Sequence, residues 1–309
     1  MNIIVSQTFA QISDPHLSSL EGVHARDLLN KRVFGYLSWR RKRRFEHRAE
    51  VLQALQRDLR HFSLDQLLVT GDLTHIGLPQ EFEQGRAWLQ QLGEPGQVAL
   101  VPGNHDTCVR ADWDKTFGLW RDYMTSDGGP IDGAGHASVF PSLRVRKNIA
   151  FIGVSTGCPK PPLMATGTVG TSQLNRLPAL LEEAATKKLF RVVFLHHSPL
   201  PGKEKWRKRL TDAAAVQAVL SEHGVELILH GHGHRAHYNE LSTRDGVAPV
   251  VAVPSASALG LHGADVARYN CYSVDRDDSG WRLEIMPRCY QPTTGEFIQG
   301  ENKMVLLKR

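Results

Sequence analysis

Two short runs, Gly103-Asn104-His105-Asp106 and Gly231-His232-Gly233-His234, carry residue types that can bind a cation and move a proton. Asn104 offers an amide carbonyl oxygen, which suits a hard cation. His105 can exchange a proton near neutral pH. Asp106 beside it is expected to hold the imidazole in one tautomer. His232 and His234 are two residues apart, as are Asp14 and His16 in Asp14-Pro15-His16. On an extended backbone that spacing points both side chains to the same side. Gly71-Asp72 and His196-His197 complete the set. The donors Asp14, His16, Asp72, Asn104, His196, His232 and His234 are nitrogen and oxygen, with no sulfur. Such a set suits two divalent metal ions with one carboxylate bridging them. Mn, Fe and Zn ions all accept it.

Each cluster also has a plainer reading. Asn-His-Asp after a strand is ordinary turn chemistry. Asp-Pro-His and Gly-Asp are common turns, and His196-His197 could be a satisfied core pair. Position separates the readings, because all five clusters end an expected strand. In open α/β sheets, ligands bind outside the carboxyl ends of the strands.

The strands are short apolar runs bounded by turn residues. They are expected at Thr8–Ser13, Gln66–Thr70, Val98–Leu100, Arg191–Leu195 and Val225–Leu229. A hairpin around Lys147-Asn148 joins Arg144–Arg146 to Ile149–Val154. Further strands are expected at Val250–Val253, Asn270–Val274 and Trp281–Ile285, the last two antiparallel. Helical spacing of apolar residues predicts helices over Glu46–Phe62, Glu81–Leu92, Gly170–Lys187 and Asp212–His223. Residues 107–142 show no period and are expected to form loops and short helices covering the site. Helices alternate with strands early and hairpins follow, which predicts an α/β fold with mixed sheets. No composition break or internal repeat divides the 309 residues, so one domain spanning 1–309 is expected.

Composition is that of a globular chain, 41% hydrophobic and 22% charged. No run of 18 apolar residues predicts a spanning helix, and no signal peptide is recognisable at the start. The four cysteines are far apart, which indicates neither a zinc knuckle nor a disulfide framework. A cytoplasmic protein with reduced thiols is expected.

The ordered set Asp-x-His, Gly-Asp, Gly-Asn-His-Asp, His and Gly-His-x-His, from Asp14 to His234, resembles the calcineurin-like metallophosphoesterase superfamily. Its spacing is similar to the class III cyclic-nucleotide phosphodiesterase-like branch. The resemblance implies two packed mixed β-sheets flanked by helices. It implies one metal on Asp14, His16 and His234, another on Asn104, His196 and His232, and Asp72 bridging. His105 and Asp106 match the catalytic pair, and His197 lies behind the ligands. It also implies a phosphate-ester substrate, attacked in line at phosphorus by a hydroxide shared between the ions. His105 would protonate the leaving group. The first alternative within the family is hydrolysis of a lipid-linked nucleotide pyrophosphate, UDP-diacylglucosamine-like. The alternative from another class is a non-catalytic metal-binding scaffold.

The net charge of +5 is unevenly placed. Nine Lys/Arg and two acids between Arg26 and Arg48 make that stretch +7, which leaves −2 for the remainder. This insert, at about 20–45, interleaves Leu28, Leu29, Val33, Phe34, Tyr36, Leu37 and Trp39 with the basic residues and ends in Arg40–Arg44. The mix suits an anionic membrane surface, with nucleic-acid phosphates as the other polyanion. A solvated helix docked on the core has the same pattern. Following Asp14-Pro15-His16, the insert should lie near the mouth of the site.

Overall fold

Parallel-paired strands carry the short apolar runs, and burial on both faces is what makes those runs continuous. The computed structural model describes residues 6–17, 19–129, 139–277 and 280–308. In the first sheet β1 (Gln7–Ile12), β2 (Gln66–Val69) and β3 (Val98–Leu100) run parallel. The antiparallel strands β10 (Arg268–Asp277), β11 (Gly280–Gln291) and β12 (Glu296–Gln299) extend it from β1. β13 (Lys303–Lys308) also pairs with β11. The second sheet has the order β4 (Ser142–Arg146), β5 (Ile149–Gly153), β6 (Phe190–Phe194), β7 (Leu227–His230), β9 (Gly246–Ala252), β8 (His237–Thr243). This is the α/β fold with two packed mixed sheets expected above.

Aromatic rings fill the space between the sheets. Phe9 of β1 meets Phe151 of β5 edge-on at 5.1 Å, and Phe190 of β6 meets Trp281 of β11 at 5.4 Å. Helices cover the outer faces. Ala49–Leu59 turns Val51 and Leu55 inward, and Pro79–Leu92 turns Phe82 and Leu89 inward. Thr171–Thr186 and Ala213–His223 bury Leu177, Leu181, Val216 and Leu220 against Val193, Ile228 and Val250 of the second sheet.

Several expectations shift. The helix over Glu46–Phe62 starts only at Ala49, because His47 and Arg48 are extended and His47 pairs with Ala258. β8 and β12 carry no clear apolar pattern, β8 burying only Leu241 and β12 only Phe297, and the apolar run Met304–Leu307 in β13 was not picked out. The stretch 107–142 does not simply cover the site. Phe117, Trp120, Tyr123 and Met124 pack into the main core, and Trp120 donates its ring N–H to the Phe82 carbonyl at 2.9 Å. Part of that stretch, 130–138, lies outside the described residues.

Candidate metal centre

Five loops leave the carboxyl ends of β1, β2, β3, β6 and β7 and converge. The first two are bonded side by side: Asp14 N–H donates to the Gly71 carbonyl (2.9 Å) and His16 N–H to the Asp72 carbonyl (3.1 Å). Gly231 N–H donates to the His196 carbonyl at 3.0 Å, joining the loops of the second sheet. Across the sheets, His232 N–H donates to Asp14 Oδ2 at 3.0 Å.

The expectation of extended backbone at the paired residues is wrong. Asp14, His16, Asp72, His232 and His234 have φ of 50, 43, 58, 67 and 52°. That is the left-handed region, which side chains with a Cβ rarely adopt. Each such residue costs on the order of 1–3 kcal/mol and persists where surrounding bonds over-determine it. The strand therefore ends in a reversed turn, and that turn aims the side chain.

Donor atoms of Asp14, His16 and His234 lie within 4.8 Å of one another, as do those of Asp14, Asp72 and His196. The same holds for His16, Asp72 and His105, and for His196, His197 and His232. His196 Nε2 is 3.3 Å from Asp72 Oδ2 and 3.2 Å from Asn104 Oδ1. His234 Nε2 is 3.2 Å from Asp14 Oδ1. All seven residues singled out as metal donors are thus brought together. Backbone carbonyls fix the ring orientations. His16 Nδ1 faces the Thr74 carbonyl at 2.9 Å and His196 Nδ1 faces the Thr70 carbonyl at 2.7 Å. A carbonyl only accepts, so each Nδ1 carries the proton and each Nε2 presents a lone pair. His197 differs: Nδ1 contacts Thr156 Oγ1 at 2.7 Å and Nε2 contacts the Ala165 carbonyl at 3.1 Å.

Among the described residues, the buried side-chain atoms that make no hydrogen bond include Asp14 Oδ1, His16 Nε2 and His232 Nε2. Orphaned buried polar atoms are rare and call for a partner. All three belong to the convergent set, so the residues fit cations there. The glycines permit the crowding: a Cβ on Gly103 would sit 2.1 Å from Asp72 Oδ1. Burial opposes ionisation of Asp72, but His196 and His105 hold it well below the ordinary carboxylate range. Burial likewise opposes ionisation of Asp14, and His234 holds it down.

His105 and Asp106 do not form the pair expected of them. Asp106 Oδ2 accepts the N–H groups of Asp72 and Gly103, both at 2.9 Å. Its Oδ1 accepts from Thr74 N–H (2.9 Å) and Oγ1 (3.1 Å). Adjacent residues in a tight turn point apart, so this carboxylate ties two loops together and leaves the imidazole alone. Burial and the nearby Asp72 push it up to about 7, against those N–H groups. His105 Nδ1 instead faces the His75 carbonyl at 2.6 Å, with Arg43 Nη1 3.0 Å away. Burial and that guanidinium push His105 down to about 4.

Three residues of the site were not singled out from the sequence. His75 stacks on His16 at 5.1 Å between centroids, and His47 lies 4.4 Å from His16. His47 Nδ1 contacts Ser257 Oγ at 2.9 Å, while Ser255 Oγ donates to the Asp14 carbonyl at 2.6 Å. The third is Arg43. Proximity to Asp72 is the only signal for His75 in the sequence, and the end of the basic run is the only one for His47 and Arg43.

The insert forms helix Arg32–Ser38, a π turn Trp39–Arg43 and a last turn Arg44–Glu46. Trp39 is not a surface anchor: it is buried against Leu20, Ile76 and Leu78, with Tyr36 packed on them. Exposed instead are Leu29, Phe34, Leu37 and Phe45, beside Arg40, Arg41, Lys42 and Arg44. Another exposed aromatic, Trp206, sits among exposed Lys203, Lys205, Arg207, Lys208 and Arg209.

A family model described as calcineurin-like phosphoesterase matches residues 7–236. A protein of Vesicomyosocius okutanii named probable cyclic nucleotide phosphodiesterase is 25% identical over 220 residues, covering 69% of this chain and 79% of its own. One of the same name from Ruthia magnifica is 23% identical, covering 88% and 94%. Among solved structures, a dimetal phosphatase from Danio rerio superposes with a TM-score of 0.52 at 15% identity, covering 98% and 99%. A purple acid phosphatase from yellow lupin gives 0.55 at 12%, covering 97% of this chain and 53% of that one. These structural likenesses concern the fold.

Proposed function

The chain belongs to the calcineurin-like phosphoesterase family, and from that premise we propose that it is a two-metal phosphodiesterase. The observation that carries the reading is the convergence of Asp14 Oδ1, His16 Nε2 and His232 Nε2, buried and without a hydrogen bond, on one cluster. Asp14, His16 and His234 would hold one ion, Asn104, His196 and His232 the other, and Asp72 would serve both. When bound, two such ions lower the pKa of coordinated water and neutralise charge on a phosphoryl group.

The protein's own side chains do the rest. The Thr74 and Thr70 carbonyls keep His16 and His196 in the Nε2-donor tautomer. His105 Nδ1–H donates to the His75 carbonyl, which leaves Nε2 as the nitrogen that would exchange a proton with the leaving group. Asp106 keeps the Asp72 and Gly103 loops in register. The relatives' name speaks for a diester over a monoester. The test is metal content together with hydrolysis of bis(4-nitrophenyl) phosphate before and after chelation. Stoichiometric ions with no hydrolysis would favour a metal-binding scaffold.

A second reading is a lipid-linked pyrophosphate cleaved at an anionic membrane surface. Exposed Phe34, Leu37 and Phe45 beside four exposed cations favour it. Contact would be peripheral, because no helix among the described residues is long and apolar enough to cross a membrane. Assaying lipid-linked and soluble pyrophosphates side by side distinguishes the readings.

A further inference from the structure

Arg43 stands apart from the rest of the basic cluster. Trp39, Arg43 and Glu46 are spaced i, i+4, i+7, which puts them on one face of the helical run. Trp39 and Glu46 are buried and Arg43 is half-buried, whereas Arg40, Arg41, Lys42 and Arg44 are exposed. The run is fastened at both ends. Arg32 donates to the Ile76 and Gly77 carbonyls at 3.1 and 2.6 Å. Glu46 Oε1 accepts the N–H groups of Gly260 and Leu261 at 2.8 and 3.1 Å. Gly35 lies so close that a Cβ there would meet Ile76 Cγ2 at 2.5 Å. Arg43 is therefore delivered into the site by a fixed support.

Its surroundings do not account for it. Its contact is His105 Nδ1 at 3.0 Å, but that nitrogen already faces the His75 carbonyl. A single N–H cannot be donor to the carbonyl and acceptor from the guanidinium. Asp72 and Asp14 both attract the guanidinium, yet among the described residues it pairs with neither. With two ions bound at the centre, a guanidinium beside them would call for an anion between. The guanidinium fork matches a phosphate's oxygens.

We propose that Arg43 is a substrate-binding residue, gripping a non-bridging phosphoryl oxygen on the His105 side of the centre. The proposal rests on the two-metal reading above. The insert thereby has two functions that separate by residue: Arg43 faces the phosphoryl group, and its basic neighbours face solvent.

The experiment compares Mn-loaded wild type, Arg43→Ala, Arg43→Lys and, as control, Arg41→Ala. It measures metal content, thermal melting, inorganic phosphate binding by calorimetry, and kcat and KM for bis(4-nitrophenyl) phosphate. Arg43→Ala should keep its ions and melting temperature but bind phosphate about tenfold or more weakly, the range of a charged hydrogen bond. KM should rise with it. Arg43→Lys should regain part of the affinity, as a point charge without the fork, and Arg41→Ala should match wild type. Unchanged phosphate affinity in Arg43→Ala, with or without a fall in kcat, would overturn the proposal and leave Arg43 as a positioning group for His105. Loss of ions in both variants would overturn it too. Wild type that holds no ions or cleaves no diester would instead overturn the two-metal reading.

Discussion

His75 presents its backbone carbonyl to His105 Nδ1 at 2.6 Å, so a residue thirty positions away fixes the tautomer that the adjacent carboxylate was expected to fix. Replacing His105 should leave the metals in place, because its role is with the leaving group. His105→Ala should lose roughly 10²- to 10⁴-fold in kcat, the usual worth of a positioned acid. The loss should shrink for esters with good leaving groups. A loss independent of leaving-group pKa, or a matching loss of metal, would show that the imidazole is a ligand.

Asp106 should behave differently. Asp106→Ala strips the partner from the N–H groups of Asp72, Thr74 and Gly103. Orphaning buried donors costs about 1–3 kcal/mol each, so urea unfolding should shift by several kcal/mol. The dependence on leaving group should remain that of wild type. A leaving-group dependence like that of His105→Ala would restore Asp106 to the proton relay.

Asp72 lies against both His196 and the Gly103 loop. Asp72→Ala should lose both ions and fall well beyond the about 10- to 100-fold typical of an outer partner of a metal ligand. Two ions and near-normal turnover in this variant would remove the shared carboxylate from the centre.

Surface attraction should belong to Arg40, Arg41, Lys42 and Arg44 without Arg43. Each cation near an anionic bilayer contributes about 1 kcal/mol, screened by salt. Neutralising the four should release the protein from phosphatidylserine vesicles in sedimentation, while hydrolysis of a small soluble ester is unchanged. Equal binding to neutral vesicles, or none to either, would leave the cluster a solvated face.

Alkaline stability should be set by β10. Burial raises the Cys271 thiol from 9.0 to about 12 and raises the Tyr269 and Tyr272 phenols as well. The unfolded chain then loses protons first, so the stabilisation is complete below about pH 9 and is lost as pH climbs toward the folded values. Urea midpoints measured from about pH 8 to pH 11 should fall, less steeply in Tyr269→Phe/Tyr272→Phe. A flat profile would contradict the burial argument.

The seven metal donors were legible in the sequence because each follows an apolar run too short for a helix, such as Gln66–Val69 or Val98–Leu100. What aims them was hidden. The left-handed turns at Asp14, His16, Asp72, His232 and His234 arise from bonds between loops far apart in the chain. Arg43 was indistinguishable from four neighbouring cations until the docking of Trp39 and Glu46 defined an inner face. Asp106 was misread because adjacency in sequence says nothing about direction in a tight turn. The edge strand His237–Thr243 was missed because it is largely exposed and its side chains show no alternation.

The centre is divided between the sheets. Asp14, His16, Asp72 and Asn104 follow strands of the first, and His196, His232 and His234 follow strands of the second. The bond between His232 and Asp14 spans 218 residues of chain. Contacts of such separation form late in folding. A chain part-way through synthesis therefore displays Asp14, His16, Asp72 and Asn104 without His196, His232 and His234. Hydrolytic competence arrives with the docking of one layer on the other, so ion uptake doubles as a readout of completed assembly.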